Sequence, residues 1–297
     1  MGGDDGGSLG SAVVKQAVAV GYASLDYPAT IDGYFKADHT VMIRKRPTDA
    51  FPRPGGSQLY VARCLAKAGV DTSVITWIGR DDLGELFRSC VIDDGIRADG
   101  IAVVSPGLTP ICFLIYQKDG SCGCCFDPGF TGKETLTSQQ SDLIKTADLV
   151  CVTVSPPEIG MQALELARDD AMVAWVAKND PFSYPQKLRA KLGERADYIF
   201  CNVHERGWID AATQDARRST APVIVETDGT GDVGVYQGNK KIDVMSVQAL
   251  EVSDTSGAGD TLAGGCLAAV MNGDIDPRSI AAAGIETAHS LLTARSE

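Results

Sequence analysis

The chain has 297 residues, 44% of them hydrophobic and 22% charged, and a formal net charge of −12. That balance is globular and long enough to bury a large core, while an acidic surface repels phosphate backbones and argues against nucleic acid as a partner. No apolar run reaches the roughly 18 residues of a membrane span, and the nine cysteines, odd in number and mostly set in apolar runs, argue for the cytoplasm rather than a secreted disulfide framework.

In chain order, the opening MGGDDGGSLG is Gly-rich and acidic, with no basic start and no apolar core, so it does not read as a signal peptide. Residues 1–14 are expected to be a disordered leader and residues 15–297 one domain. A β-rich run covers 17–22, and helical spacing covers 58–68 and 83–92 with a strand at 74–78 between them. Further strands at 149–154, 172–176, 198–201 and 223–226 alternate with helical segments at 159–168 and 185–192. Alternation of this kind builds βαβ units, hence an α/β fold with a central, mostly parallel sheet flanked by helices. Two stretches break the rhythm. Residues 26–54 are polar, contain proline and carry Arg44, Lys45 and Arg46; residues 101–126 read as two strands joined by a turn at Lys118, Asp119 and Gly120, an Asp-Gly hairpin signal. Both are expected to leave the main layer and form a small β lid, near 27–54 and 99–127. Within the second, Cys122, Cys124 and Cys125 crowd together without an evident fourth ligand, which favours a turn entering a strand over a metal site.

The strongest chemical signal lies near the C-terminus. Residues 254–260 read DTSGAGD, and the small-residue segment after them predicts a helix from near Gly257 to near Gly273. Gly257, Ala258 and Gly259 carry almost no side-chain bulk, so backbone N–H groups at the helix start can approach an anion, and the helix dipole adds positive potential. Asp260 sits in the first turn beside that anion hole, where a carboxylate can take the proton of an alcohol while the hole steadies a phosphoryl group. The competing interpretation is a tightly packed helix start with Asp260 as a favourable first-turn anion.

DTSGAGDTLAGG resembles the C-terminal signature of the PfkB/ribokinase family of carbohydrate kinases. The resemblance implies a ribokinase-like fold and transfer of the γ-phosphoryl group of ATP, assisted by Mg²⁺, to a hydroxyl of a sugar or sugar-like small molecule. It makes Asp260 the catalytic base and Gly257, Ala258 and Gly259 the anion hole, and it places Asp254 beside a monovalent cation such as K⁺. Other segments agree in order. VGYASLD resembles the family's first strand, ending in Asp26, a ligand of acceptor hydroxyls. Gly55 and Gly56, with the later GRDDLG at 79–84, resemble the N-terminal signature. NVHE resembles the family's NxxE, with Asn202 at the nucleotide and Glu205 acting on Mg²⁺ through water. Thr227 and Gly229 match a TxG turn at the nucleotide. Two positions depart from the pattern, both on the acceptor side: Tyr60 stands where the family usually has an Asn, and Ser155 where many members have an acid. Tyr60 either lines the acceptor pocket with its ring, which suits a nucleoside, or turns into the core. GTGDVG at 229–234 has the form of a dinucleotide fingerprint, but VYQGNKK follows where a helix is required. The expectation is therefore a sugar kinase, with a nucleoside kinase of the same family as the alternative; an NAD-dependent oxidoreductase and a non-catalytic sensor are weaker readings. A homodimer through the lid is also expected.

Overall fold

On β1 (Gln16–Val20), Ala17 and Ala19 face one side of a sheet and Val18 and Val20 the other, and all four are buried. A strand buried on both faces belongs in the middle of a sheet covered on both sides. The computed structural model, which describes residues 15–296 apart from Asp49, Thr131, Lys133, residues 215–219, Glu251 and Ser253, has this architecture. The expected leader, residues 1–14, lies outside the described residues.

Among the described residues the main sheet has nine strands in the order β14 (Lys240–Met245), β13 (Val233–Gln237), β12 (Val223–Thr227), β11 (Tyr198–Asn202), β10 (Met172–Val176), β9 (Leu149–Val152), β1, β5 (Asp71–Gly79) and β6 (Ile101–Val104). The strands from β12 to β6 are parallel; β13 and β14 add an antiparallel hairpin at one edge. Helices α1 (Ser57–Lys67), α2 (Asp82–Asp93), α7 (Ala258–Met271) and α8 (Pro277–Ser296) cover the face that carries Ala17 and Ala19. Helices α3 (Ser138–Thr146), α4 (Pro157–Leu166), α5 (Gln186–Arg195) and α6 (Arg206–Thr213) cover the other. Side chains such as Leu59, Phe87, Leu188 and Ile209 are fully buried in these layers, each worth about 1.5–3 kcal/mol of transfer free energy.

A second, five-stranded sheet is built from β3 (Ile43–Lys45), β2 (Ser24–Ile31), β7 (Ile111–Tyr116) and β8 (Cys122–Asp127), with β4 (Arg53–Gly55) also paired to β2. The hairpin of β7 and β8 turns through residues 117–121, where Gly120 takes φ 82°.

The structure differs from the sequence expectations in two places. Asp26 does not end the first strand: β1 stops at Val20, and Asp26 lies inside β2, paired with Arg53 on one side and Cys112 on the other. The segment at 101–104 is not part of the lid but the edge strand of the main sheet, paired in parallel with β5. Both errors have one cause. A short apolar run fits either sheet, and only pairing decides between them.

The GRDDLG turn ties the two sheets together. Asp81 caps α2 by accepting from the Gly84 amide at 2.8 Å, and also accepts from the Thr109 amide at 2.8 Å and hydroxyl at 2.5 Å. A Cβ on Gly79 would sit 2.6 Å from the backbone of Leu108 and Thr109. The motif fastens the end of β5 to the segment that enters β7, which fixes the second sheet relative to the main one.

Candidate active site

In an open parallel sheet, ligands gather beyond the carboxyl ends of the strands. Asn202 and Thr227 are paired neighbours at the ends of β11 and β12, and Gly229, with φ 55°, lies in the turn that leads into β13. Residues 229–234 thus form a hairpin and its following strand, not the glycine turn of a dinucleotide site, which must open a helix.

Glu205 is 2% exposed. Its Oε1 accepts from the Asn179 amide at 2.8 Å and its Oε2 from the Asn202 amide at 2.7 Å, while Asn202 Oδ1 accepts from the amides of His204 and Glu205. This explains the spacing of the motif: the two side chains fold one turn back on itself and fasten the exit of β11 to that of β10. Burial raises the Glu205 pKa, against these backbone bonds and the charge of Lys178. Both carboxylate oxygens already hold a backbone donor, so the donor set suits an outer contact to a hydrated magnesium ion better than direct ligation.

At the start of α7, Gly257 takes the left-handed φ of 72°. A Cβ there would lie 2.5 Å from the Tyr60 ring, whereas one on Gly259 would meet no atom within 4 Å. The helix start is therefore closed on the Tyr60 side and open at Gly259, with Asp260 in its first turn. The first-turn N–H groups have no acceptor within a helix; here the Ala258 N–H turns back to the Thr255 carbonyl at 3.2 Å.

Asp26 is 6% exposed and accepts from the Ser24 hydroxyl at 2.5 Å. Burial lifts its pKa to about 6, opposed by the Ser24 bond and helped by repulsion from Asp254 and Asp260. A Cβ on Gly55 would lie 2.1 Å from the Asp26 carboxylate, and Gly56 needs its φ of 98° to start α1. The glycine pair is thus the local condition for a buried acid on the neighbouring strand.

Asp254 is not an open carboxylate. Its Oδ2 accepts from Arg53 at 2.5 Å, and its Oδ1 from Tyr116 at 3.1 Å and from the amide and hydroxyl of Ser256 at 3.0 and 2.6 Å. Burial works to raise its pKa, but the Ser256 bonds and the charges of Arg295 and Arg53 outweigh it and hold the carboxyl below its ordinary value.

Tyr60 is 4% exposed and packs beneath Gly257, with its hydroxyl accepting from Arg295 at 3.3 Å. The ring's contact with Gly257 leaves it no broad open face toward a ligand. Replacing Tyr60 with Asn is expected to cost about 2–4 kcal/mol of stability, as for other buried aromatic truncations, and to leave the preference between ribose-type sugars and nucleosides unchanged. A changed preference at unchanged melting temperature would return Tyr60 to the acceptor pocket. Ser155 is fully buried and bonds the Pro156 carbonyl at 3.4 Å.

Four residues at this site escaped the sequence reading. Lys178 lies two residues beyond the end of β10; desolvation works to lower its pKa, but the carboxylates of Asp260 and Glu205 raise it. An apolar strand followed two residues later by a basic residue was the available signal. Gln58, buried beside Gly56, has neither amide atom hydrogen-bonded within the protein. Arg53 and Arg295 come from β4 and α8, and nothing in their local sequence marks them.

A carboxylate in the first turn of a glycine-started helix, with a lysine and a second buried acid close enough to act on one another's titration, is chemistry that transfer of a phosphoryl group to a hydroxyl can use. Residues 17–290 match the model of the pfkB family carbohydrate kinases, and the chain belongs to that family. It is 23% identical over 266 residues to a nucleoside kinase of Methanothermobacter thermautotrophicus, an alignment that covers 87% of this chain and 84% of that one. It is 26% identical over 278 residues to an ATP-dependent ribose-1-phosphate kinase of Halopiger xanaduensis, covering 88% and 87%. Among solved structures, the ribokinase of Cryptococcus neoformans in complex with ADP superposes with a TM-score of 0.77 at 18% identity, over 94% of each chain. The nucleoside kinase of Methanocaldococcus jannaschii gives 0.75 at 19%, over 94% of this chain and 92% of that one. These likenesses establish the ribokinase fold.

Proposed function

We propose that the protein transfers the γ-phosphoryl group of ATP to a hydroxyl of a sugar or nucleoside, with Asp260 as the base. The observation that carries this is the start of α7, left-handed at Gly257 and open at Gly259, with Asp260 in its first turn. Gly257 and Gly259 offer N–H groups to the transferring phosphoryl group, Ala258 adds its own on giving up the bond it makes to the Thr255 carbonyl at 3.2 Å, and Asp260 takes the proton of the attacking hydroxyl. Asp26 orients the acceptor, supported by Gly55 and Gly56. Asn202, Thr227 and Gly229 line the nucleotide side. Mg²⁺ would be held by the phosphates and by water ordered on Glu205, and when bound it neutralises phosphate charge.

The acceptor side is poor in exposed polar anchors, since Ser155 is buried and Tyr60 is turned beneath the glycine loop, while Tyr22 and Phe126 bring their rings to 5.2 Å. That balance favours an acceptor with an apolar or aromatic portion, and the nucleoside kinases among the relatives agree with it. The cytoplasm remains the proposed location, supported by nine free thiols; among the described residues no helix is long and apolar enough to cross a membrane. A homodimer would cover the exposed Met42 and Ile43 of the lid, and a monomer mass in light scattering would end that proposal.

The test is an ATP-consumption screen over sugars, sugar acids and nucleosides, paired with calorimetry. ATP or ADP with Mg²⁺ should bind and NAD should not. Glu205→Gln should lower Mg²⁺-dependent turnover more than nucleotide affinity, because it alters the ordering of a hydrated ion rather than the nucleotide contacts. A loss confined to nucleotide affinity would instead make Glu205 a purely structural clasp.

A further inference from the structure

The donors around Asp254 do not fit a dissociable monovalent cation, because a side chain of this protein already holds the oxygens such an ion would need. Arg295, from the last turn of α8, is only 11% exposed along its side chain. Its Nη1 donates to the Ser256 carbonyl at 2.5 Å and approaches the Asp254 carbonyl at 3.4 Å and Asp254 Oδ1 at 3.8 Å. Its Nη2 donates to the Tyr60 hydroxyl. Arg53 holds the other Asp254 oxygen.

We infer that Arg295 is a positioning residue whose guanidinium serves as a built-in cation beneath the 254–260 loop, so that the enzyme works without potassium. The inference rests on the proposed anion-binding role of that loop. Its logic is geometric. A peptide unit is planar and trans, so its carbonyl and N–H point in opposite directions. By drawing the Ser256 carbonyl toward itself, Arg295 turns the Gly257 N–H to the opposite side of the loop, away from Tyr60. The Asp254 carbonyl is drawn the same way, which turns the Thr255 N–H likewise. The loop needs something positive beneath it, since carbonyls aimed at the buried Asp254 carboxylate would be repelled. Arginine is a fixed charge with a planar fork that can bond several oxygens at once, which a lysine ammonium cannot reproduce in the same geometry.

The experiment compares the whole protein in equal concentrations of potassium chloride and tetramethylammonium chloride. Turnover, MgADP affinity by calorimetry and melting temperature are expected to agree between the two salts, the first two within about twofold, because no ion site remains to be filled. Arg295→Ala is expected to lose about tenfold or more in turnover, as for a lost charged hydrogen bond, and to recover in part when low concentrations of guanidinium chloride or potassium chloride are added. Arg295→Lys should fall between the two. Potassium-specific activation, tighter MgADP binding or a potassium-specific rise in melting temperature of the unaltered protein would overturn the inference. So would a folded Arg295→Ala protein with unchanged activity, or one that no added cation restores. Should that variant fail to fold, the salt comparison on the unaltered protein decides alone. Absence of nucleotide binding in both salts would count against the kinase function, while the melting comparison would still judge the cation.

Discussion

Asp260→Asn is expected to lower turnover by about two to four orders of magnitude, the usual cost of removing a positioned general base, while leaving the fold and MgATP affinity intact. The side chain sits in the first turn of α7, where an amide keeps the size of the carboxylate and does not disturb the glycine start. What the variant loses is the ability to accept the acceptor's proton. An amide also removes the negative charge that faces Lys178, so nucleotide affinity should hold or tighten slightly as the loop becomes more positive. Single-turnover rates with saturating ATP, together with calorimetry of the same preparation, separate these effects. Near-normal turnover in a folded Asp260→Asn protein would remove Asp260 from the mechanism.

The second large effect concerns Asp26. Its pKa is pushed up to about 6 by burial first, against the Ser24 hydrogen bond and with repulsion from Asp254 and Asp260. If its carboxylate binds the acceptor hydroxyls, kcat/KM for the acceptor should rise with pH through about 6, and kcat/KM for ATP should not share that limb. Asp26→Asn should abolish the limb and lower kcat/KM for the acceptor by about a hundredfold, the loss of charged hydrogen bonds to a polyol. Stability should move the other way. A carboxyl with a pKa raised in the fold contributes stability that is complete below its unfolded value of 3.8 and is lost as pH rises through about 6. Asparagine cannot ionise, so at pH above 7 the variant should be more stable than the parent, by on the order of 1–3 kcal/mol, and the difference should vanish below about pH 4. Activity and stability thus trade at one position, as expected for a buried acid kept for binding. A persistent acid limb in the variant would assign it to another group, and a variant less stable at pH 8 would show that Asp26 is held by bonds stronger than its desolvation.

Locally encoded features were legible in the sequence. The alternation of apolar runs with helical spacing specified the parallel strands β9 to β12 within a residue or two, because strands buried on both faces read as continuous apolar runs. The DTSGAGD, NVHE and GRDDLG motifs each build their own local geometry. Gly257 needs its positive φ, Asn202 and Glu205 exchange bonds over three residues, and Asp81 caps the helix that begins one residue later. A short polar motif whose partners lie within a turn of itself can be recognised without knowing the rest of the chain.

Only the tertiary structure decided what depends on partners distant in sequence. Whether residues 101–104 joined the lid or the main sheet rested on pairing with β5, and whether Asp26 lay on the first strand or in the lid rested on pairing with β4 and β7. The fate of Tyr60 was set by Gly257, almost two hundred positions later, whose missing side chain makes room for the ring. The charges beneath the glycine loop come from β4 and from the last turn of α8. No spacing in the chain announces a contact across such separations, because long-range packing is fixed by which faces the whole fold brings together and not by any period in the sequence.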